Sequence, residues 1–284
     1  MKFESRRAVN TVIISDTHLG TYGCHAEELV RYLKSIRPEK LILNGDIIDI
    51  WQFSKSYFPK EHIRVIKEIT NMLSKGVEVH YIPGNHDEFV RKFCGQTIGN
   101  LHIDNKVVLE LDEKQSWIFH GDVFDVSMRY SKWIAKLGGQ GYDLLILFNR
   151  FVNRWLQHFG KDKISFSKRI KDSVKAAVKH VNDFETTTAL IGISNGYDHV
   201  ICGHIHKPII KNIKSEDGEI TYMNSGDWIE NLTSLEYNDG EWTLYRYEDD
   251  ATLKDYTLEP DYEIERSSQE ILFGLIEEFS IIRA

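Results

Sequence analysis

Short apolar runs, each closed by glycine, proline or a charged residue, punctuate the first 120 positions. Val12-Ile13-Ile14 ends at Ser15-Asp16, and Leu41-Ile42-Leu43 ends at Asn44-Gly45-Asp46. Val77-Glu78-Val79-His80-Tyr81-Ile82 ends at Pro83-Gly84-Asn85-His86, and Trp117-Ile118-Phe119 ends at His120-Gly121-Asp122. Apolar runs of this length bounded by breakers read as buried strands. Helical patterns lie between them over about 26–36 and 60–75, and the second carries a stripe of Ile63, Ile66, Ile69 and Leu73. Strand and helix in alternation predict a largely parallel sheet. Ligands of such sheets bind beyond the carboxyl ends of the strands, where the polar residues of all these runs fall.

The pattern changes over about 125–195, which has helical signals and no strand signal. Tyr142 to Leu156 is apolar around much of its circumference, and twelve Lys and Arg face four Asp between 125 and 180. This reads either as a helical lid over an anionic substrate or as a helix pair packed on the body with solvated lysines outside. Strand signals return at 198–202 and near 208–213, 219–224, 233–237 and 241–247, with turn dipeptides at Asp217-Gly218 and Asp239-Gly240. Antiparallel hairpins after a parallel first half predict two packed sheets with helices outside. The tail over about 267–282 carries a helical stripe at 272, 275, 276 and 279.

With 284 residues, 42% hydrophobic and 27% charged, the chain fits one large globular domain and excludes disordered, collagen-like and coiled-coil classes. No apolar run reaches the ~18 residues of a membrane span. The N-terminal apolar stretch is too short for a secretory signal, so a cytoplasmic location is expected. Cys24, Cys94 and Cys202 form no CxxC pair, which points to reduced thiols. A net charge of −8 argues against nucleic acid as a partner.

Five clusters carry candidate chemistry: Asp16-Thr17-His18, Gly45-Asp46-Ile47-Ile48-Asp49, Gly84-Asn85-His86-Asp87, His120-Gly121-Asp122 and Gly203-His204-Ile205-His206. Imidazole and carboxylate together suit divalent Mn, Fe or Zn. Residues two apart at a strand end can turn toward one ion, and glycine lets the backbone approach it. Each cluster alone is weak; their order and their strand-end placement make the signal.

This ordered set, DxH, GDxxD, GNHD, a lone His and GHxH, resembles the calcineurin-like metallophosphoesterases over about residues 11–206. The resemblance implies a four-layer αββα sandwich of two mixed β-sheets flanked by helices, forming one domain over 1–284 with the helical insertion as a lid. It implies two divalent ions, with Mn²⁺ favoured and Fe or Zn as alternatives. Asp16, His18 and His206 would hold one ion, Asn85, His120 and His204 the other, and Asp46 would bridge them. Hydrolysis would follow attack by a hydroxide shared between the ions. His86, left off the metals by the pattern, would act as general acid, with Asp49 orienting it. Asp87 is expected to cap a helix starting at 88.

Gly45-Asp46-Ile47-Ile48-Asp49-Ile50-Trp51, His120-Gly121-Asp122-Val123-Phe124-Asp125 and Asn224-Ser225-Gly226-Asp227-Trp228 look like the UDP-2,3-diacylglucosamine diphosphatase group within that superfamily. That group releases UMP and a phosphorylated lipid sugar from a nucleotide-linked lipid. On this reading Arg150 and Arg154 would hold phosphates, the insertion's apolar face would hold acyl chains, and Trp51 and Trp228 would stack on a base or sugar or pack in the core. Peripheral contact with the inner membrane surface would follow. Well-studied members carry Arg where this chain has His86, which matches the wider superfamily. The rival readings are a hydrolase of another small phosphodiester, nucleotide or phosphomonoester, and a scaffold that keeps the fold without the chemistry.

Overall fold

The computed structural model describes residues 6–51, 58–124 and 184–258. Cα packing divides the chain into one unit of Met1–Asp122 with Thr188–Ala284 and another of Val123–Thr187. The sheets and the site belong to the first. Most of the expected insertion, including Arg150 and Arg154, and the expected helix over 267–282 lie outside the described residues.

The strand and helix expectations of the first half are met at β1 (Arg7–Ile14), α1 (Ala26–Ser35), β2 (Ile36–Asn44), α2 (Lys60–Ser74) and β3 (Glu78–Ile82). Three short strands follow that the apolar pattern did not announce: β4 (Gln96–Ile98), β5 (Leu101–Ile103) and β6 (Val107–Leu111). Exposure explains the first of them, since every residue of β4 faces solvent. The hairpin joining β6 to β7 (Lys114–Ile118) turns on Asp112-Glu113, both with positive φ, without the glycine that normally marks such a turn. Then come β8 (His199–Cys202), β9 (Ile209–Ser215), β10 (Gly218–Asn224), β11 (Thr233–Asn238) and β12 (Glu241–Arg246). The expected turn at Asp239-Gly240 links β11 to β12 with both φ positive, the geometry of a two-residue hairpin loop.

One sheet has seven strands in the order β12-β11-β1-β2-β3-β5-β4, and the other has five in the order β6-β7-β8-β10-β9. β1, β2, β3 and β5 are parallel, while β11 and β4 flank them antiparallel, so the first sheet is mixed. The second is mixed too, with β7, β8 and β10 parallel between antiparallel β6 and β9.

Alternation along β1 shows how the layers are built. Val12 and Ile14 join Leu41, Leu43 and Val79 in a core with Leu29, Val30, Leu33, Val65 and Met72 of α1 and α2. Ile13 points the other way, into a second core with Ile42 and Ile82 of its own sheet and Ile118, Ile201 and Met223 of the other. Residues 184–194 are helical, and Gly192 lies so close to Ile220 and Val200 that a Cβ there would meet their side chains at 2.5 and 3.0 Å. The fold is therefore an α/β sandwich of two mixed sheets with helices on the outer faces. Among the described residues no helix is long and apolar enough to cross a membrane.

Candidate metal centre

The loops that leave β1, β2, β3, β7 and β8 at their carboxyl ends meet at one place. Backbone hydrogen bonds tie them together: Asp16 N donates to Gly45 O at 3.0 Å, His18 N to Asp46 O at 2.9 Å, and Gly203 N to His120 O at 2.9 Å. The approach is tight. A Cβ at Gly84 would lie 2.2 Å from Asp46 Oδ1, and one at Gly203 2.6 Å from Asp16 Oδ2. Only glycine permits this packing at those two positions.

Nine non-glycine residues among those described have positive φ, and five of them are Asp16, His18, Asp46, His204 and His206. Such backbone costs of order 1–3 kcal/mol per residue and persists only where the surroundings impose it. Here the strain turns each side chain back over the end of its strand.

Both buried carboxylates are half used. Asp16 Oδ2 accepts from His204 N at 3.0 Å, which leaves Oδ1 facing His206 Nε2 at 3.1 Å without an aligned hydrogen bond. Asp46 Oδ1 accepts from His86 N at 2.7 Å, which leaves Oδ2 between two imidazoles, 3.3 Å from His120 Nε2 and 3.9 Å from His18 Nε2. The histidines are oriented to match. His120 Nδ1 lies 2.8 Å from Asn44 O, a carbonyl that can only accept, so the proton belongs on Nδ1 and Nε2 presents its lone pair. His18 Nδ1 faces Asp49 Oδ2 at 3.3 Å with the same consequence. Asp16 Oδ1, His18 Nε2, Asn85 Oδ1 and His120 Nε2 are all buried without a hydrogen-bond partner.

Donor atoms left bare in a buried site are what a cation needs. Asp16, His18 and His206 bring ligand atoms within 4.8 Å of one another, as do Asp46, His120 and His204. A third group joins His86 to His18 and Asp46. The field agrees with the geometry. Burial opposes charge on His120, yet Asp46 and Asp16 draw its pKa up to about 10. Burial likewise works against ionised Asp46 and Asp16, and the histidines around them hold both below the usual carboxylate range. A divalent cation would satisfy that negative field while leaving the imidazoles neutral. The residues present thus fit divalent metal, by charge, by donor type and by unused lone pairs.

Of the remaining expected site residues, Asp49 is buried, and its Oδ2 lies 2.8 Å from His86 Nδ1. Burial disfavours the imidazolium of His86, but the hydrogen bond to Asp49 and the charge of Asp46 raise its pKa overall. Trp51 is 46% exposed and lays its ring against His86 with centroids 4.5 Å apart. Trp228 does not belong to the site surface. It is fully buried, its ring packs against Tyr32 and Tyr247, and no face is left for a ligand.

Asp87 also departs from expectation. It makes no capping bond to the short helix Glu88–Phe93. Instead it is fully buried and accepts from Gly84 N at 2.6 Å, Ile47 N at 2.9 Å and Tyr81 Oη at 2.6 Å, bracing the Asp46 loop against the Asn85 loop. Asn224 and Asp227 form a second brace that side-chain type alone did not reveal. Asn224 Nδ2 donates to Gly203 O at 2.6 Å, and Asp227 Oδ1 gathers the backbone N–H groups of Ile229, Glu230 and Asn231 beneath His206.

A two-sheet sandwich that gathers Asp, His and Asn donors at its strand ends defines a metal-dependent phosphohydrolase. The chain belongs to the calcineurin-like phosphoesterase family, whose model matches residues 9–208. It is 29% identical over 252 residues to the UDP-2,3-diacylglucosamine hydrolase of Aliivibrio fischeri, covering 84% of this chain and 98% of that one. It is 24% identical to the enzyme of the same name from Vibrio cholerae, covering 81% and 95%. A solved structure of an archaeal phosphodiesterase superposes with a TM-score of 0.40 at 16% identity, covering 83% of this chain and 98% of that one.

Proposed function

We propose that the protein is a two-metal hydrolase of a nucleotide-linked lipid, with UDP-2,3-diacylglucosamine as substrate and UMP and a lipid phosphate as products. The observation that carries the two-metal reading is the position of Asp46 Oδ2, facing His18 on one side and His120 on the other. The substrate reading rests on the near full-length relatives of that name.

Asp16, His18 and His206 would hold one divalent ion and Asn85, His120 and His204 the other, with Asp46 shared; Mn²⁺ is the favoured metal. Ions in that place supply Lewis-acid polarisation of the phosphoryl oxygens and acidify water. The protein's own part is to hold and move a proton. Asp49 fixes the Nδ1 proton of His86, which leaves the imidazole's far edge to donate toward the leaving oxygen. Trp51 backs that ring and offers its exposed side to a planar group of the substrate. Arg150 and Arg154 would hold phosphate, and the insertion would lead to peripheral contact with a membrane.

The second reading is hydrolysis of another small phosphodiester, nucleotide or phosphomonoester; His86, the wider family's residue at this position, favours it. Hydrolysis of UDP-2,3-diacylglucosamine with added Mn²⁺, beside bis-p-nitrophenyl phosphate, separates the two. UMP release abolished by chelation supports the first, and diester cleavage without UMP release supports the second. Sedimentation with liposomes tests the membrane contact.

A further inference from the structure

We propose that Arg91 holds the phosphoryl group of the substrate that is not attacked, the one that leaves on the lipid-sugar product. The inference rests on the hydrolase reading above and extends it to a residue that no motif marks.

Arg91 lies on the short helix Glu88–Phe93 that follows Asn85, His86 and Asp87. Its Nη2 is 2.5 Å from Asp122 Oδ2, and its Nη1 donates to Asn105 Oδ1 at 3.1 Å. Asp122 stands two residues beyond His120, and its charge is felt at both His120 and His204. The guanidinium is therefore tethered across the two loops that supply Asn85 and His120. Asp122 is only 9% exposed, but the Arg91 side chain keeps 25% of its surface open.

Two features suit this group to an anion. First, the tether uses two of the five N–H donors of a guanidinium among the described residues, and the planar fork suits phosphate oxygens. Second, its carboxylate partner belongs to a strand-end loop, whereas Arg6, Arg7 and Arg31 pair with Glu68, Glu236 and Glu27, away from those loops. A guanidinium already fixed by a carboxylate loses less rotamer freedom when phosphate arrives, which raises its value as a recognition element. Cleavage of the pyrophosphate leaves a phosphomonoester on each product, so the sugar-bound group that Arg91 would grip gains a second charge by the end of the reaction.

The test uses the metal-loaded full chain and needs no lipid. Inhibition of bis-p-nitrophenyl phosphate hydrolysis by glucose 1-phosphate is measured for the wild type, Arg91→Gln and Arg91→Lys. One charge-assisted bidentate contact predicts a rise of about tenfold or more in the inhibition constant for Arg91→Gln, with Arg91→Lys between it and the wild type. Diester turnover in Arg91→Gln is expected to fall several-fold less than affinity for the sugar phosphate, with bound metal unaltered. An equal fall in both, a loss of metal, or a wild type insensitive to the sugar phosphate would overturn the assignment and leave Arg91 as a structural tether. Absence of diester hydrolysis in the wild type would instead overturn the hydrolase reading.

Discussion

Asp49 Oδ2 lies 2.8 Å from His86 Nδ1 and 3.3 Å from His18 Nδ1, so one buried carboxylate oxygen orients both an expected metal ligand and the expected proton donor. The two imidazoles meet edge to face at 4.5 Å. On the proposed reading, ligand geometry and proton delivery would both depend on this one residue.

Substitution of His86 separates its two roles. His86→Ala is expected to keep both ions and lose on the order of 10²-fold in kcat. Metal analysis of the purified variant checks this, because loss of an ion would place His86 among the ligands, as its grouping with His18 and Asp46 allows. Asp49→Asn should lower kcat and, through His18, weaken metal binding by roughly 10–100-fold.

Asp46→Ala removes the oxygen that faces both donor groups. Activity is expected to fall on the order of 10³-fold or more, with less metal bound per chain. A variant with full activity and two ions would remove Asp46 from the centre.

Chelation should abolish turnover and Mn²⁺ should restore it. Ions that bind only the folded chain also stabilise it, by about 2.7 kcal/mol at a concentration 100 times the dissociation constant. Thermal unfolding with and without EDTA reads this directly, and equal midpoints would argue against tight sites.

Asp87→Ala strands Gly84 N, Ile47 N and the Tyr81 hydroxyl in a buried place. The expected loss is about 3 kcal/mol or more, since each unpaired donor costs roughly 1–3 kcal/mol. Asp87→Asn should lose less. Urea midpoints measure both.

His62 predicts a pH dependence away from the metals. It is buried at the start of α2 and its Nδ1 accepts from Gly20 N at 2.8 Å, so it is held neutral, with burial lowering its pKa from 6.5 to about 4. The unfolded chain binds the proton more readily. The contribution, at most about 3 kcal/mol, is therefore complete above pH 6.5 and disappears as pH falls toward 4. His62→Gln, which retains an acceptor, should flatten the stability profile between those values.

Much of this was legible in the residues. Buried runs such as Leu41-Ile42-Leu43 announce themselves by composition, and the glycine-bearing clusters after them place the donors where a parallel sheet must put them. The structure brings all seven expected ligand residues to those strand ends. What the sequence concealed has identifiable physical causes. β4 is solvent-facing, so it has no apolar pattern. Asp112-Glu113 adopts a left-handed turn without the glycine that usually marks one. Asp87 is buried although its residue type usually lies at the surface, and Trp228 could equally have stacked or packed; only tertiary packing decides between capping and bracing, or between stacking and core.

The donors arrive from both sheets. Asp16, His18, Asp46 and Asn85 follow strands of the seven-stranded sheet, and His120, His204 and His206 follow strands of the five-stranded one. An ion bound by either donor group would therefore rivet one sheet to the other. On the proposed ligand set, a fragment that stops short of His206 lacks one donor of the Asp16 and His18 group, so capture of both ions during synthesis would wait until that residue has emerged. Metal loss, in turn, would be felt first as loosening between the layers.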